Sequence, residues 1–334
     1  MANEFDIFQP QISTVAKGIE GKLILIHSNE RKLGKTMQAC RFPKPFYLRF
    51  EQGINAISGL PYAPLTKWSD FKKVRKQLTN SKTIDQAKEL YSTIIVDSLD
   101  VAIKWCDKYV CGMQGVERLN DGNNGYGLWK EYENEWFNEW SPLINAGYAV
   151  VFISHSEARK MKDPKSGDEY EQLYPKGDKR TIDLIIDAVD FIGYVKSNGF
   201  DDSGNPQMSS IYFNACPEFL AGSRFKYMPM EITPFTAEGV QEAIKSAIEQ
   251  EENETGRAAV TYQEKIDTEI TELTFDEAMK KIKPLYKKLF AQDKELTTNI
   301  VEKYLGEGNK ISQTTEKQLE QLLMIIDEFE ENLD

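Results

Sequence analysis

The sequence predicts an α/β protein, with a mainly parallel sheet flanked by helices and a small helical module at its C-terminal end. Three observations predict it. Five apolar, β-rich runs occur in the first two thirds: 22–27 "KLILIH", 46–50 "FYLRF", 92–97 "STIIVD", 149–154 "AVVFIS" and 191–195 "FIGYV". Several are continuous rather than alternating, as strands buried on both faces of a parallel sheet require. Helical patterns lie between them, and the composition changes after Pro234.

Taken in order, the first run leads into "HSNERKLGKT", considered below. Residues 68–90 and 126–140 carry the clearest helical spacing. The second places Tyr126, Trp129, Tyr132, Trp136 and Trp140 three or four apart, an aromatic stripe suited to packing on a sheet. Strands alternating with helices give an α/β sandwich. Runs 209–215 and 226–232 extend the sheet as antiparallel members around the turn "DDSGNP". A core domain is therefore expected over 1–235. Residues 236–270 are expected to hold a short amphipathic helix (236–250) and an exposed acidic linker beginning "EQEENETGRAA". A helical module over 271–334 follows. Thr274 with Glu277, and Thr315 with Gln318, have capping-box spacing, and the last helix sets Leu319, Leu322, Leu323, Ile326 and Leu333 on one face.

The bulk numbers exclude several classes. With 40% hydrophobic residues and 11% aromatics, the 334-residue chain can bury a core. No apolar run approaches the 18 residues of a membrane span, and "MANEFDIFQPQ" lacks the basic and apolar segments of a signal peptide. Cys40, Cys106, Cys111 and Cys216 are scattered, which predicts reduced thiols in a cytoplasmic protein. Two histidines, His27 and His155, make a histidine-rich metal site an unpromising reading. The net charge of -12 is uneven: residues 237–334 hold 23 acidic and 12 basic residues, against 30 and 29 in residues 1–236. No broad positive field is available to attract nucleic acid, so any such contact has to be a local patch.

Chemistry begins at the end of the first run. Nucleotide phosphates need converging backbone N–H groups at a helix start, a lysine for the outer phosphates and a hydroxyl for magnesium. Gly34, Lys35 and Thr36 stand in that order, and Asn29, Glu30, Arg31, Lys32, Leu33, Gly34, Lys35, Thr36 and Met37 form the candidate phosphate cradle. The usual pattern has glycine where this chain has Asn29. Asparagine is the residue after glycine that best tolerates a left-handed backbone, which predicts that Asn29 supplies the turn. Asp97 ends the apolar run 92–97 about 60 residues later, where a carboxylate can hold the water shell of magnesium beside Thr36.

Strand, G-K-T loop, "FYLRFE", "TIIVDS" and "VVFISHSE" occur in the order that resembles RecA-like P-loop ATPases. Together with "FEQGINAISGLPY", they resemble the phage-encoded AAA-family ATPases related to the Sak group of single-strand annealing and recombination proteins. The resemblance covers about residues 18–235. It implies a RecA-like core, ATP and Mg²⁺ as cofactors, and a place in the cytoplasm of a bacterial host.

Several roles follow from the resemblance alone. It places Glu51 as the carboxylate that polarises the attacking water, the competing reading being a solvated loop glutamate. His155 would sense the outer phosphate and pass the signal on, unless it is a satisfied strand-end histidine. Arg224 and Lys226, two apart on a strand, would reach a neighbouring subunit's nucleotide, against the alternative of a surface pair. The segment 156–180, with seven basic and six acidic residues, would be a mobile loop facing single-stranded DNA. There Lys160, Lys162, Lys176, Lys179 and Arg180 would meet phosphates and Tyr170 or Tyr174 would stack on bases, although such a balanced loop can also be simply solvated.

The implied function is an ATP-dependent phage recombination protein, oligomeric, that binds single-stranded DNA. Its C-terminal module would recruit a single-strand-binding or replication protein. Two other functions fit the same residues: a nucleotide-regulated interaction module with little turnover, and a small-molecule kinase, for which no acceptor lid is evident.

Overall fold

Leu23 and Leu25 face one way along the first strand and Ile24 and Ile26 the other, and all four are buried. That is the period-two alternation of a strand with a core on each side. The computed structural model of the chain describes residues 12–268 and 273–333, in two compact units, 12–265 and 273–333. The N-terminal segment "MANEFDIFQPQ", read for a leader, and residues 269–270 of the expected linker lie outside the described residues.

Among the described residues, ten strands form one sheet: β1 (Leu23–Ser28), β2 (Pro45–Arg49), β3 (Tyr62–Ala63), β4 (Thr93–Asp97), β5 (Ala149–Lys162), β6 (Glu169–Pro175), β7 (Phe191–Lys196), β8 (Ser210–Tyr212), β9 (Gly222–Ser223) and β10 (Glu231–Ile232). The main path runs β10-β8-β7-β1-β5-β4-β2-β3, and its centre, from β7 to β3, is parallel throughout. The strand before the G-K-T loop and the strand ending in Asp97 are therefore not neighbours, and β5 lies between them.

Helices cover both faces. α2 (Trp68–Thr79), α4 (Leu99–Gln114), α5 (Trp129–Asn145) and α6 (Lys179–Ala188) contribute to a core with Leu23, Leu25, Leu48, Ile94, Val96, Val150 and Phe152. The aromatic stripe packs here as expected, with Trp136 stacked on Trp68 at 5.7 Å, except that α5 starts at Trp129 and leaves Tyr126 outside, 88% exposed. α3 (Ile84–Leu90) lies between α2 and β4 in the chain. The opposite core joins Ile24, Ile26, Tyr47, Ile95, Val151 and Ile153 to α1 (Lys35–Ala39) and α7 (Ala237–Thr255).

α7 revises the expected organisation after Pro234. It runs five residues beyond the expected helix end, so "EENET" is its last turn and a half rather than linker, and Val240, Ile244 and Ile248 belong to the core of the first unit. The chain then returns along its own N-terminal part: Val260 exchanges backbone hydrogen bonds with Val15 and Lys17. Tyr262, which opens α8 (Tyr262–Thr268), fills the space beside Gly21 and Gly147, where an added Cβ would meet its ring at 2.2 and 1.9 Å.

Two further differences concern β structure. The run 226–232 is mostly turn, with only Glu231–Ile232 extended. The segment 156–180 is not a loop: β5 continues to Lys162, pairs antiparallel with β6, and α6 begins at Lys179. The second unit contains α9 (Phe275–Gln292), α10 (Lys294–Leu305) and α11 (Leu319–Glu331) around Ala278, Ile282, Ile300, Leu322, Ile326 and Phe329. Both expected capping boxes are present.

Candidate functional site

The parallel strands end together. Ser28 pairs in register with His155, Ile153 with Asp97, and Asp97 with Arg49, so the loop after β1, Asp97, the chain after β2 and His155 meet at one edge of the sheet. This is the crevice at the carboxyl ends of strands where open α/β sheets bind ligands.

Gly34 precedes α1 with φ 85°, a left-handed conformation suited to glycine. Lys35 and Thr36 open the helix. Thr36 donates from Oγ1 to Asp97 Oδ2 at 2.7 Å, and Tyr47 donates its hydroxyl to the same oxygen at 3.0 Å. Asp97 is 2% exposed. Burial raises its carboxyl to about 6, the charge of Glu51 adds to the rise, and the two hydrogen bonds oppose it. Lys35 is lowered by burial, against the attraction of Asp97, Glu51, Asp100 and Glu30.

Glu51 stands beside this group because its backbone is clipped to β4: the N–H groups of Phe50 and Glu51 both donate to the Asp97 carbonyl at 3.0 Å. Gly53 permits the approach, since an added Cβ would lie 2.5 Å from the Tyr47 hydroxyl and 2.8 Å from Asp97 Oδ2. His155 is half exposed and holds Asp100, in the first turn of α4, through Nδ1 at 3.1 Å. That bond raises the imidazole above its usual range against the effect of burial. Burial pushes Asp100 upward, but His155 outweighs it and the carboxyl is held low.

Asn29 does not play the expected part. The left-handed residues of the loop are Lys32 (φ 63°) and Gly34, and Asn29 is not among them. Its side chain is a tether instead, with Oδ1 accepting from the Tyr194 hydroxyl of β7 at 2.6 Å. Glu30 also faces β7, its carboxylate accepting from the Ser197 N–H at 3.1 Å, and the Leu33 carbonyl accepts from Ser209 Oγ at 3.0 Å. Arg31 and Lys32 are exposed, as is Met37. His27 is buried below the loop, with Nε2 donating to the Leu220 carbonyl at 2.7 Å and Nδ1 accepting from Ser156 Oγ at 2.8 Å.

Arg224 and Lys226 are not brought to this site. They lie in a turn rather than on a strand, beside Asp190 at the start of β7, the end of the sheet away from the loop. Arg224 is engaged by Asp190 and the Asp187 carbonyl, and Lys226 by Glu254 at 2.6 Å. The basic residues of 156–180 stand on the ribbon that carries β5 beyond His155 and on the start of α6. Lys160 and Lys162 are exposed on one face of the ribbon, directly opposite Glu171 and Glu169. The backbone N–H of Lys176 donates to the His155 carbonyl at 2.8 Å. Lys179 pairs with Asp183, and the Arg180 guanidinium lies 5.0 Å over the Trp129 ring. Tyr174 is covered by Arg159 at 5.1 Å.

Sequence reading missed Tyr47, Gly53, Asp100 and Tyr194. Gly53 and Asp100 carried a local signal, two residues after Glu51 and three after Asp97. The hydroxyls of Tyr47 and Tyr194 reach the site across strands and had none.

The donor set fits a magnesium-bound nucleotide. Thr36 and Asp97 offer a hydroxyl and a carboxylate oxygen, the hard donors magnesium takes. Among the described residues neither Asp97 nor Lys35 has an ion-pair partner within 4.0 Å, so the buried carboxylate and the desolvated ammonium are poised for a cation and an anion. No group of three or more metal-ligating side chains occurs among the described residues, and no helix there is long and apolar enough to cross a membrane. All four cysteines are free.

A family model described as "AAA domain" matches residues 24–225, from β1 to just past β9. The SPbeta prophage-derived uncharacterized protein YorG of Bacillus subtilis strain 168 is 43% identical over 330 residues, covering 98% of each chain. The crystal structure of the flagellar accessory protein FlaH from Methanocaldococcus jannaschii overlaps 60% of this chain and 88% of its own, at 14% identity and a TM-score of 0.31. With the family match spanning more than half its length and taking in the loop, Asp97 and His155, this chain belongs to the AAA-domain family of P-loop proteins.

Proposed function

We propose that the protein is a phage-encoded ATPase that binds ATP with Mg²⁺ at the crevice and couples hydrolysis to work on single-stranded DNA, in recombination or strand annealing as in the Sak group. One observation carries the ATPase part: Lys35, Thr36, Asp97, Glu51 and His155, spread over more than 100 residues, converge at one sheet edge. The prophage-derived relative supports the phage origin.

Bound Mg²⁺ and ATP would supply the reactive phosphoryl group and neutralise its charge as the bond breaks. Lys35, already stripped of water, attracts the outer phosphates. Thr36 Oγ1 and Asp97 hold the metal's position, with Tyr47 and Gly53 fixing the carboxylate. The Glu51 carboxylate orients a water and accepts its proton. His155, held by Asp100 at 3.1 Å, would respond to the outer phosphate.

Support for a DNA role comes from continuity. β5 runs from His155 straight into the exposed ribbon, so a shift at the phosphate sensor moves the residues carrying Lys160 and Lys162. A homo-oligomer belongs to the same proposal, although Arg224 and Lys226 are paired within their own chain. The opposed acids Glu169 and Glu171 favour a second reading, a nucleotide-controlled protein contact with little turnover.

ATP hydrolysis measured with and without single-stranded DNA separates them. The first reading expects DNA-stimulated turnover that Lys35→Ala and Glu51→Gln abolish. Binding of ATP without turnover supports the second. If ATP does not bind, both fail.

A further inference from the structure

The second unit contains a groove that the nucleotide site does not use. It encloses 570 Å³, within the roughly 300–1,000 Å³ of ligand sites, and lies between α9, α10 and the segment 308–312. Met279, Tyr286 and Ile311, each partly exposed, supply its apolar surface over the buried Ile282 and Val301. Met279, Ile282 and Tyr286 follow one face of α9 for two turns, so the groove is elongated along about 10 Å of helix.

Lys283, Lys287 and Lys310 also line it, and none has a carboxylate partner among the described residues. Of the unit's other lysines, Lys281 pairs with Glu330 at 2.9 Å and Lys303 with Glu328 at 2.7 Å, both toward α11, whereas Lys280, Lys288, Lys294 and Lys317 have no ion pair among the described residues. The one acid in the groove, Glu302, accepts from the Gly308 N–H at 3.2 Å and so helps hold the segment 308–312. Three cations without a carboxylate partner among the described residues, around an apolar floor, offer charge and apolar surface to one binding partner.

We infer that this groove docks an amphipathic, acidic peptide segment of another protein, its apolar side chains at helical spacing on the floor and its carboxylates on Lys283, Lys287 and Lys310. Helix-in-groove binding uses this combination of i, i+3 and i+4 anchors with charged flanks. Nucleic acid suits it less well. The floor has one aromatic ring, Tyr286, for base stacking; Glu302 and the unit's net negative charge oppose phosphate and carboxylate alike, so the scarcity of stacking surface is what separates the two. The inference is independent of the ATPase proposal.

The test is fluorescence anisotropy on the full chain with a labelled twelve-residue probe, carrying Leu and Phe at i, i+3, i+4 and i+7 and Asp or Glu between. Saturable binding in the micromolar range is expected. Lys283→Glu with Lys287→Glu should weaken it at least tenfold with an unchanged melting temperature. Lys288→Glu, on α9 but outside the groove, should change it less than twofold. The inference is overturned if the probe fails to saturate, if a Lys/Arg version or oligo-dT binds equally well, if both charge reversals act alike, or if sedimentation shows the groove covered by a second copy.

Discussion

At the scale of single residues, Asn29 is the position whose meaning changes most. It occupies the place of a glycine, yet its backbone is not left-handed; its amide oxygen holds the loop to β7 through Tyr194. Losing one such hydrogen bond costs roughly 1 kcal/mol. Asn29→Gly and Tyr194→Phe should each weaken ATP binding severalfold, and the double variant should be no worse than either, because both remove one contact. Additive losses in a titration of the three variants would disprove the tether. His27 makes a second residue-scale prediction. Burial, with the nearby charge of Lys35, pushes its imidazole down to about 4 while the Leu220 carbonyl opposes the shift; the ordinary value is about 6.5. Between those values the unfolded chain binds the extra proton, so stability must fall as pH drops from 6.5 to 4, by roughly 3 kcal/mol from this one group. Urea unfolding across that range should show a shallower pH slope in His27→Gln than in the parent. Equal slopes would show that His27 is not held neutral.

At the scale of elements, the strands were readable because β1, β4 and the first half of β5 are buried on both faces and so are nearly free of polar residues. The second half of β5 was not. "EARKMK" alternates charges and small or apolar side chains over a partly exposed ribbon, and composition alone cannot tell such a ribbon from a solvated loop. The helix 237–255 was readable in place but not in length, because its last turn and a half is acidic and exposed. The candidate site divides similarly. Lys35 and Thr36, after the β1 loop, and Asp97, at the end of β4, show in sequence, whereas Glu51 and His155 take their roles from the family resemblance. Tyr47 and Tyr194 act through register, which only the folded sheet defines. Arg224 and Lys226, read for a neighbouring subunit's nucleotide, are held by acids of their own chain. The ribbon carries its own prediction. Lys160 and Lys162 face Glu171 and Glu169, so replacing both acids by glutamine unmasks two cations. Single-stranded DNA should then bind more tightly and with a steeper dependence on salt. An unchanged affinity would remove this face of the ribbon from any DNA contact.

At the scale of the molecule, the sheet works as a frame that gathers distant residues at one edge and sends one of its strands outward. The crevice holds a buried carboxylate raised by desolvation and a lysine lowered by it, neither with an ion-pair partner within 4.0 Å among the described residues, a costly arrangement that a ligand supplying both charges would relieve. The central claim is that these residues form one site for Mg²⁺ and ATP. Calorimetric titration of ATP with and without Mg²⁺ tests it most directly, on the parent, Lys35→Ala and Glu51→Gln. The account predicts Mg²⁺-dependent binding by the parent, its loss by about a hundredfold or more in Lys35→Ala, and near-parent affinity in Glu51→Gln. Equal binding by the parent and Lys35→Ala, or no binding by the parent, would contradict it.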